Sequence, residues 1–253
     1  MSVIFYNKKM IKSILNYYND LKKNKILYLQ IGAFDGVTGD IIYPYIRKYK
    51  WKGVRVEPVP FHFNKIKNLH NNDPKTVCVN MAVSELNGVA TLYSVKQSPD
   101  NPPFAEQLSS FKKEVILKHS QKIPDLINKI IEFEVPCISY PDLIRKYSLS
   151  GVDLVYIDTE GYDYEIFKQI DFVNDKPEVL IFENKHLEKK YLEELLLKMH
   201  RLNYAIIRDG QDTLLINRDT LRLLFRKSSI SKFFRKLIAF SKGAIKMVLM
   251  RFF

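Results

Sequence analysis

A repeated alternation of short apolar runs with amphipathic helical segments constrains the fold more than any other feature of the sequence. Strand-length apolar runs lie at 25–31, 53–57, 76–83, 152–158 and 179–183. Helical spacing is found between and after them, at 40–50, 60–69, 140–147, 163–170 and 188–200. Successive strand–helix units of this kind form a mostly parallel sheet with right-handed crossovers. Two further strands, 204–208 and 213–217, are predicted to pair as an antiparallel closing hairpin. The predicted fold class is therefore α/β, an open Rossmann-like sheet of seven strands.

Three segments stand outside this alternation. An amphipathic helix is predicted at 8–23, so 1–24 is interpreted as a leading helical segment before a main domain at 25–217. A short strand at 89–95 is followed by an irregular insertion at 96–134, with one helix predicted around 112–122. Long insertions in compact domains are usually functional. We therefore expect this one to lie on the acceptor side of a binding site.

The excess of positive charge is concentrated at the end of the chain. The formal net charge is +12, and residues 218–253 contain ten Lys and Arg but one acid, so this tail supplies +9 of it. A nucleic-acid-binding core is typically basic over its working face, and the nearly balanced main body argues against nucleic acid as a partner. From 228 onward, apolar residues recur at three- and four-residue spacing with basic residues opposite them. This pattern predicts a basic amphipathic helix on an anionic membrane surface; a helix packed on its own domain or on a sister subunit is the alternative.

Composition also bears on the cellular compartment. The first residues lack the apolar core and cleavage site of an export signal, and no apolar run approaches the roughly 20 residues that span a bilayer. The two cysteines, Cys78 and Cys137, have no metal-ligand spacing. We expect a cytoplasmic protein, with peripheral association at the inner face of the membrane, and neither a disulfide framework nor a structural zinc site.

Glycines and an acid come directly after the first two predicted strands. Gly32 and Gly36 lie after the first strand, where glycine lets the backbone turn tightly and approach a ligand. Their spacing differs from the GxGxxG of dinucleotide loops, which disfavours a dehydrogenase. The second strand ends at Glu57, where a carboxylate can accept hydrogen bonds from both hydroxyls of a ribose. Together these features favour an adenosine-containing cofactor; a ligand-free turn and a surface acid are the alternatives.

Acidic side chains come after the fourth and fifth predicted strands. Asp158 and Glu160 come after the fourth, and Glu183 and His186 after the fifth. Two carboxylates at the mouth of one cleft can bind a cation, orient a hydroxyl or act as a base, and a histidine beside them is a candidate proton acceptor. The competing interpretations are a helix cap, for which Asp163 is better placed, and a structural or surface histidine.

Six segments, taken in order, resemble the FkbM-type methyltransferase family, whose members use S-adenosyl-L-methionine and mostly methylate hydroxyl groups. The resemblance runs from about Ile26 to Asn217 and implies a class I methyltransferase fold. The segments are QIGAFDGVTGD (30–40), WKGVRVEPVPFHF (51–63), NMAVSE (80–85), QLSSF (107–111), VDLVYIDTEGYDYEIF (152–167) and EVLIFENKHL (178–187).

The resemblance implies which residues bind S-adenosyl-L-methionine. The glycine loop would contact the methionine moiety, Glu57 would hold the ribose hydroxyls, and 81–83 would flank the adenine. Two positions depart from the commoner methyltransferase pattern: Gln30 stands where an acid is usual, and Phe34 adds a bulky ring. The implied cofactor contacts are Gln30, Gly32, Ala33, Asp35, Gly36, Glu57, Met81, Ala82, Val83 and Asp158.

The resemblance also implies an acceptor side. The implied substrate contacts are Gln107, Ser109, Ser110 and Glu183, and the implied catalytic residues are Asp158, Glu160 and His186. An acceptor oxygen would attack the methyl carbon in line, and the protein would position the reactants and remove a proton. Asp158 and His186 are both candidates for the base. No metal ligand set is predicted, although a divalent cation at Asp158 and Glu160 is left open.

By analogy with the family, we expect the acceptor to be a hydroxyl of a saccharide or of a surface-glycan or lipid-linked glycan precursor. One alternative is another acceptor, such as a small metabolite, a nucleic acid or a protein; no NPPY-like tetrapeptide comes after the fourth strand, which argues against amino-group methylation. The other alternative is a non-catalytic interaction module. The presence of Gly32, Gly36 and Glu57 argues against that.

Overall fold

Alternate side chains of the central strands divide between two apolar layers, one on each face of a sheet. In the computed structural model, which describes residues 4–6, 10–209 and 211–226, Leu154 and Tyr156 pack into one layer while Val155 and Ile157 pack into the other. Such alternation with both faces buried is expected for a parallel sheet that is covered by helices on its two sides. The predicted α/β class is confirmed.

The main sheet has eight strands in the order β4-β3-β2-β9-β10-β12-β11-β1. All neighbouring pairs are parallel except those of β12, which runs antiparallel to both β10 and β11. The strands are β1 (Ile4–Tyr6), β2 (Leu27–Ile31), β3 (Lys52–Val56), β4 (Thr76–Val79), β9 (Leu154–Ile157), β10 (Val179–Glu183), β11 (Tyr204–Asp209) and β12 (Asp212–Asn217).

Nine helices are described in the same part of the chain. Helices α1, α2 and α9 contribute to one apolar layer, and α6, α7 and α8 contribute to the other. Their bounds are α1 (Met10–Leu21), α2 (Tyr43–Tyr49), α3 (Pro60–Leu69), α4 (Lys113–Leu117), α5 (Leu126–Lys129), α6 (Tyr140–Lys146), α7 (Asp163–Lys168), α8 (Lys189–Arg201) and α9 (Arg218–Arg226).

Seven of the eight strands match the predicted ones, and the eighth is new. Strand β1 pairs with β11, so the predicted closing hairpin does not form the edge of the sheet. A strand of three residues is too short to show a period of two, which is why the sequence gives no sign of it. The predicted leading helix is α1, and five of its apolar side chains are buried in the core; it is an integral part of the fold.

A second sheet, of order β5-β8-β6-β7, takes two segments of the predicted insertion, β7 and the first five residues of β8, while the rest of the insertion forms short helices and connecting segments. Strand β8 (Ile130–Ile138) pairs antiparallel with β6 (Gly88–Val95) over the whole length of β6, so residues 130–134 belong to a regular strand and not to irregular insertion. The predicted third strand at 76–83 is divided between β4 in the main sheet and β5 (Ala82–Val83) in the second. Strand β7 (Ser109–Ser110) forms its edge.

Helix α9 belongs to the packed domain, although the basic tail is predicted to begin at 218. Leu221 and Leu224 are buried in the same apolar layer as α1, so the folded unit extends at least to Arg226. The predicted membrane-surface helix, from 228 onward, lies outside the described residues. Within 4–6, 10–209 and 211–226, none of the helices combines the length and the apolar character needed to cross a bilayer.

Candidate active site

A cleft opens at the carboxyl ends of β2 and β9, the adjacent strands between which the strand order reverses. In open α/β sheets this position is where ligands bind. The cleft has a volume of about 920 Å³, its open mouth included, which suits a ligand of nucleoside size or larger. Residues of both sheets and of the segments that follow their strands form its walls. They include Gln30, Gly32, Ala33, Phe34, Glu57, His62, Met81, Ala82, Val83, Gln107, Ser109, Ser110, Phe111, Tyr156, Asp158, Glu160 and Tyr162.

The floor of the cleft requires glycine at position 32. Gly32 has φ +81°, and a Cβ added there would lie 1.7 Å from the carbonyl oxygen of Asp158, far inside any allowed contact. The backbones of β2 and β9 therefore approach each other closely where the two strands end. The residue has a packing role in addition to the ligand contact that the sequence predicts.

A buried charged network supports the loop that connects β2 to α2. The Arg55 guanidinium has no exposed surface and forms an ion pair with Asp40. It also donates to Gln30 Oε1 (2.9 Å) and to the carbonyl of Gly36 (3.1 Å). Gln30 in turn donates to Asp40 (3.0 Å). Gln30 lines the cleft, and this network fixes its orientation.

Asp35 and Gly36 belong to this loop but are not part of the cleft wall. Asp35 accepts hydrogen bonds from the amides of Val37 and Thr38 and from the Thr38 hydroxyl. Burial opposes ionisation of Asp35, but these hydrogen bonds outweigh it and lower its pKa. Both residues shape the loop, and their direct contact with a cofactor stays a prediction.

Glu57 lies at the end of β3, buried in the cleft wall. Its two carboxylate oxygens accept hydrogen bonds from the amides of Phe34 (2.8 Å) and Val59 (3.0 Å). Burial raises the pKa of Glu57 to about 7, and these two hydrogen bonds only partly oppose the rise. Each carboxylate oxygen has a further lone pair, so the group can still accept from ribose hydroxyls.

His62 of α3 lines the same part of the cleft, and the sequence analysis did not single it out. Its ring packs on Phe34, with 4.3 Å between the ring centroids, and its Nε2 lies 3.1 Å from the carbonyl of Glu106. Burial lowers the pKa of His62 to about 4, so the ring is neutral and Nε2 must carry the proton that the carbonyl accepts. Nδ1 is then a buried acceptor, and it has no hydrogen bond partner.

Asp158 and Tyr156 lie at the centre of the cleft. The Tyr156 hydroxyl donates to Asp158 Oδ2 (3.2 Å). Burial, together with the weaker repulsion of Glu183 and Glu160, raises the pKa of Asp158 well above its usual range. A bound cationic group would oppose that rise, because it stabilises the ionised carboxylate.

Glu160, Glu183 and His186 converge beside Asp158. His186 Nε2 lies 2.8 Å from Glu160 Oε2 and 3.6 Å from Glu183 Oε2. Burial and the nearby Glu160 raise the pKa of Glu183 to about 7. The structure thus brings Glu183, which the sequence analysis assigned to the substrate contacts, next to Glu160 and His186, which it assigned to catalysis.

The turn between β9 and α7 is stabilised by Asp163. Its carboxylate accepts from the Thr159 hydroxyl (3.0 Å) and the Gly161 amide (3.2 Å). Asp163 is the first residue of α7, whereas the residue at the capping position is Tyr162, with no side-chain cap bond. The interpretation of Asp163 as the helix cap is therefore wrong; it reaches back to the turn that carries Glu160.

The second sheet closes the opposite wall of the cleft. Gln107 ends a short 3₁₀ helix (Pro103–Gln107), and Ser109 and Ser110 form β7. The Ser110 hydroxyl donates to the carbonyl of Glu160 (2.9 Å), which joins this sheet to the turn after β9. Gln107, Ser109 and Ser110 all line the cleft as expected for the acceptor side, and their contacts with a substrate stay predictions.

Most sequence-predicted site residues meet in this one cleft. The exceptions are Asp35 and Gly36, which belong to the loop after β2 but do not line the cleft, and Glu183 and His186, which lie just beyond Glu160. The residues that sequence reasoning missed are His62, Tyr156, Phe111 and Tyr162. His62 lies inside the motif 51–63 and Tyr156 inside the motif 152–167, so both could have been found there.

Comparison with known protein families identifies the kind of domain that this chain contains. The model of a family described as the methyltransferase FkbM domain matches residues 30–206, more than half of the 253-residue chain. The match confirms the resemblance seen in the six motifs, and with it the enzyme class and the cofactor: an S-adenosyl-L-methionine-dependent methyltransferase. No curated protein matches the chain.

Several solved methyltransferase structures are similar at low sequence identity. The methyltransferase FkbM from Methylobacillus flagellatus KT is 13% identical, with a TM-score of 0.48 over 76% of this chain. The N-terminal domain of human METTL16 is 11% identical, with a TM-score of 0.42, over 83% of this chain and 69% of that one. Precorrin-6y C5,15-methyltransferase from Geobacter metallireducens GS-15 is 11% identical, with a TM-score of 0.39, over 81% and 85%. This chain spans 44% of the length of the Methylobacillus protein.

Replacing Arg55 tests the network under the loop. We expect Arg55→Met to lower the free energy of unfolding by about 3–5 kcal/mol, because Asp40 is left buried without its cation. Urea denaturation monitored by circular dichroism measures the change. The matched control is Arg145→Met, since Arg145 pairs with Asp142 but is 77% exposed, and solvent-screened pairs contribute little. Equal effects of the two substitutions would contradict the structural role of Arg55.

Proposed function

We propose that this chain, which belongs to the FkbM methyltransferase family, is an O-methyltransferase for a hydroxyl of a saccharide or of a surface-glycan or lipid-linked glycan precursor. The observation that carries the proposal is the lining of the cleft, whose residues we assign by their chemistry to two parts. Glu57 and His62 are assigned to one part, and Asp158, Glu160, Gln107 and Ser109 to the other; all six line the same cleft. The first suits a nucleoside and the second suits an acceptor with several hydroxyl groups.

The residues of the first part fit S-adenosyl-L-methionine. Glu57 retains lone pairs for the ribose hydroxyls, and the unpartnered Nδ1 of His62 can accept one more hydrogen bond from the nucleoside. Gly32 lines this part of the cleft, and the missing Cβ lets the ends of β2 and β9 approach each other closely there. Met81, Ala82 and Val83 supply an apolar wall, which suits the flat face of an adenine.

The second part provides hydrogen bond acceptors for hydroxyl donors. Carboxylate oxygens of Asp158 and Glu160, the Gln107 amide and the Ser109 hydroxyl all border this space. Carboxylates that are ionised here repel phosphate groups, which disfavours a nucleic acid chain as the acceptor. A sugar hydroxyl suits this lining better, because it is neutral and donates readily.

Methyl transfer is the reaction that these positions support. When bound, the cofactor supplies an electrophilic methyl carbon: the oxygen–methyl bond forms as the sulfur–methyl bond breaks, and the bonding pair stays on sulfur. The protein holds the acceptor hydroxyl in line and takes its proton. Asp158 and His186 are the candidate bases, and a positioned base contributes typically about 10²–10⁴-fold to the rate.

Cofactor binding should depend on the ionisation of Glu57. The pKa of Glu57 is about 7, and the ionised carboxylate accepts more strongly from ribose hydroxyls than the protonated one. We expect the affinity for S-adenosyl-L-methionine to fall as the pH is lowered from 8 to 6, about one pH unit on either side of that pKa. Glu57→Gln should weaken binding by about tenfold or more and remove this pH dependence.

Calorimetric titration measures both effects, with NAD as the comparison ligand. The matched control is Glu85→Gln, because Glu85 is 57% exposed and pairs with Lys168 outside the cleft. Binding of NAD without binding of S-adenosyl-L-methionine would overturn the proposed function. A pH dependence that persists in Glu57→Gln would show that another group is responsible.

The acceptor can be identified by comparing glycans from cells with and without the protein. We expect mass spectrometry to show a species that lacks one methyl group when the protein is absent. When the Asp158→Asn variant is expressed in cells that lack the protein, the methyl group should still be missing, although the purified variant retains cofactor binding. Expression of the Glu85→Gln variant in the same cells should restore methylation. An unchanged glycan profile, together with a methylated product of another class, would contradict the saccharide assignment.

The place of action that we propose is the inner face of an anionic membrane. The support is the sequence pattern from 228 onward, in which each basic residue near such a surface adds about 1 kcal/mol of attraction. Removal of 228–253 should shift the protein out of the pelleted fraction when it is mixed with anionic lipid vesicles. Partitioning that is unchanged by this truncation would remove the membrane from the proposal.

A further inference from the structure

Three potential metal ligands from two strand ends converge next to the cleft. One ligand atom each of Glu160, Glu183 and His186 lies within 4.8 Å of the other two, and the two contacts of His186 Nε2 measure 2.8 and 3.6 Å. Ligand atoms that share one ion with bonds of about 2.1 Å are separated by about 3–4 Å. Small side-chain rotations would therefore place one ion between all three.

Hydrogen bonding within the protein does not account for these atoms. His186 Nε2, Glu160 Oε2 and Glu183 Oε2 are all buried, and none of the three has a hydrogen bond partner of acceptable geometry. The His186 side chain is only 6% exposed. Buried polar atoms without partners are rare in folded proteins and call for an explanation. An imidazole nitrogen that lies between two carboxylate oxygens is an arrangement that a bound metal cation can satisfy.

The backbone under the cluster is held in an unusual conformation. Glu160 has φ +49°, a region that is uncommon for residues with a Cβ, and its carbonyl accepts the hydrogen bond from Ser110. The next residue, Gly161, has φ +97°. Residues held in such regions concentrate at functional sites. Here the conformation directs the Glu160 side chain towards Glu183 and His186.

We propose that Glu160, Glu183 and His186 form a binding site for one divalent transition-metal ion. Imidazole suits zinc and similar ions, and carboxylates suit manganese and magnesium; one imidazole with two carboxylates favours Mn²⁺ or Zn²⁺ over Mg²⁺ or Ca²⁺. Three protein ligands leave coordination positions open for oxygen atoms from outside the protein.

The metal site also has a role in the proposed methyl transfer, and the inference about this role rests on the proposed function. Glu160 belongs both to the cluster and to the cleft wall, so the open positions of the ion face the acceptor side. An ion there would bind an acceptor oxygen and favour loss of its proton. With the His186 lone pair engaged by the ion, Asp158 is the group left to receive that proton.

The site can be tested with manganese alone. Electron paramagnetic resonance at room temperature detects free Mn²⁺, so its titration into the full-length protein gives the number and affinity of bound ions. We expect one ion per chain. Both His186→Ala and Glu183→Gln should weaken binding by more than about tenfold, since even partners outside the ligand shell contribute about 10–100-fold.

The controls separate a specific site from binding to surface acids. Glu193→Gln is the match for Glu183→Gln, because Glu193 lies on α8 with 63% of its side chain exposed; it should bind Mn²⁺ as the unaltered protein does. Binding of S-adenosyl-L-methionine is measured on every variant, and its retention shows that the variant is folded. Loss of Mn²⁺ binding in His186→Ala and Glu183→Gln, with the cofactor still bound, supports the site.

Two results would overturn the inference: no Mn²⁺ binding by the unaltered protein, or equal binding by the His186→Ala and Glu183→Gln variants. Failure of the proposed function gives a different result. In that case Mn²⁺ still binds and still depends on His186, whereas S-adenosyl-L-methionine does not bind.

Discussion

The ion pair between Arg55 and Asp40 is the interaction on which the rest of the cleft depends. Both side chains are almost fully buried, and a charge in such surroundings is tolerated only when it is paired and hydrogen-bonded. Arg55 meets this requirement by binding three groups at once: the side-chain amide of Gln30 in β2, and the Asp40 carboxylate and the Gly36 carbonyl in the loop that follows β2. The position of this loop, and with it the part of the cleft that Gln30 lines, is set by the need to neutralise one buried cation.

The sequence predicts the central sheet well because the evidence for it is local. Each parallel strand is a short apolar run, and the residue directly after it, Gly32 or Glu57 or Asp158, lies at the same edge of the sheet by topology alone. The second sheet could not be predicted in this way. Strands β6 and β8 are separated by a long stretch of chain, and β7 has only two residues, so no periodicity marks the pairing.

The site was predictable as a set of positions but not as a set of contacts. Sequence reasoning placed Asp158, Glu160 and His186 near one another, but it could not show that Arg55 pairs with Asp40 or that Glu183 faces His186. Such pairings depend on which way a side chain turns at the end of a strand. For the Glu160 side chain, the direction follows from the positive φ of this residue and from the hydrogen bond that its carbonyl accepts from Ser110.

The close approach of Gly32 to the Asp158 carbonyl has a consequence for how this enzyme can diversify. No residue with a Cβ fits at position 32, so the floor of the cleft cannot be altered by single substitutions there. The opposite wall belongs to a separate small sheet with its own apolar clusters, and it is joined to the turn after β9 by the hydrogen bond from Ser110 to the Glu160 carbonyl. Substitutions that change the shape of the cleft are therefore tolerated more readily on this wall than at position 32.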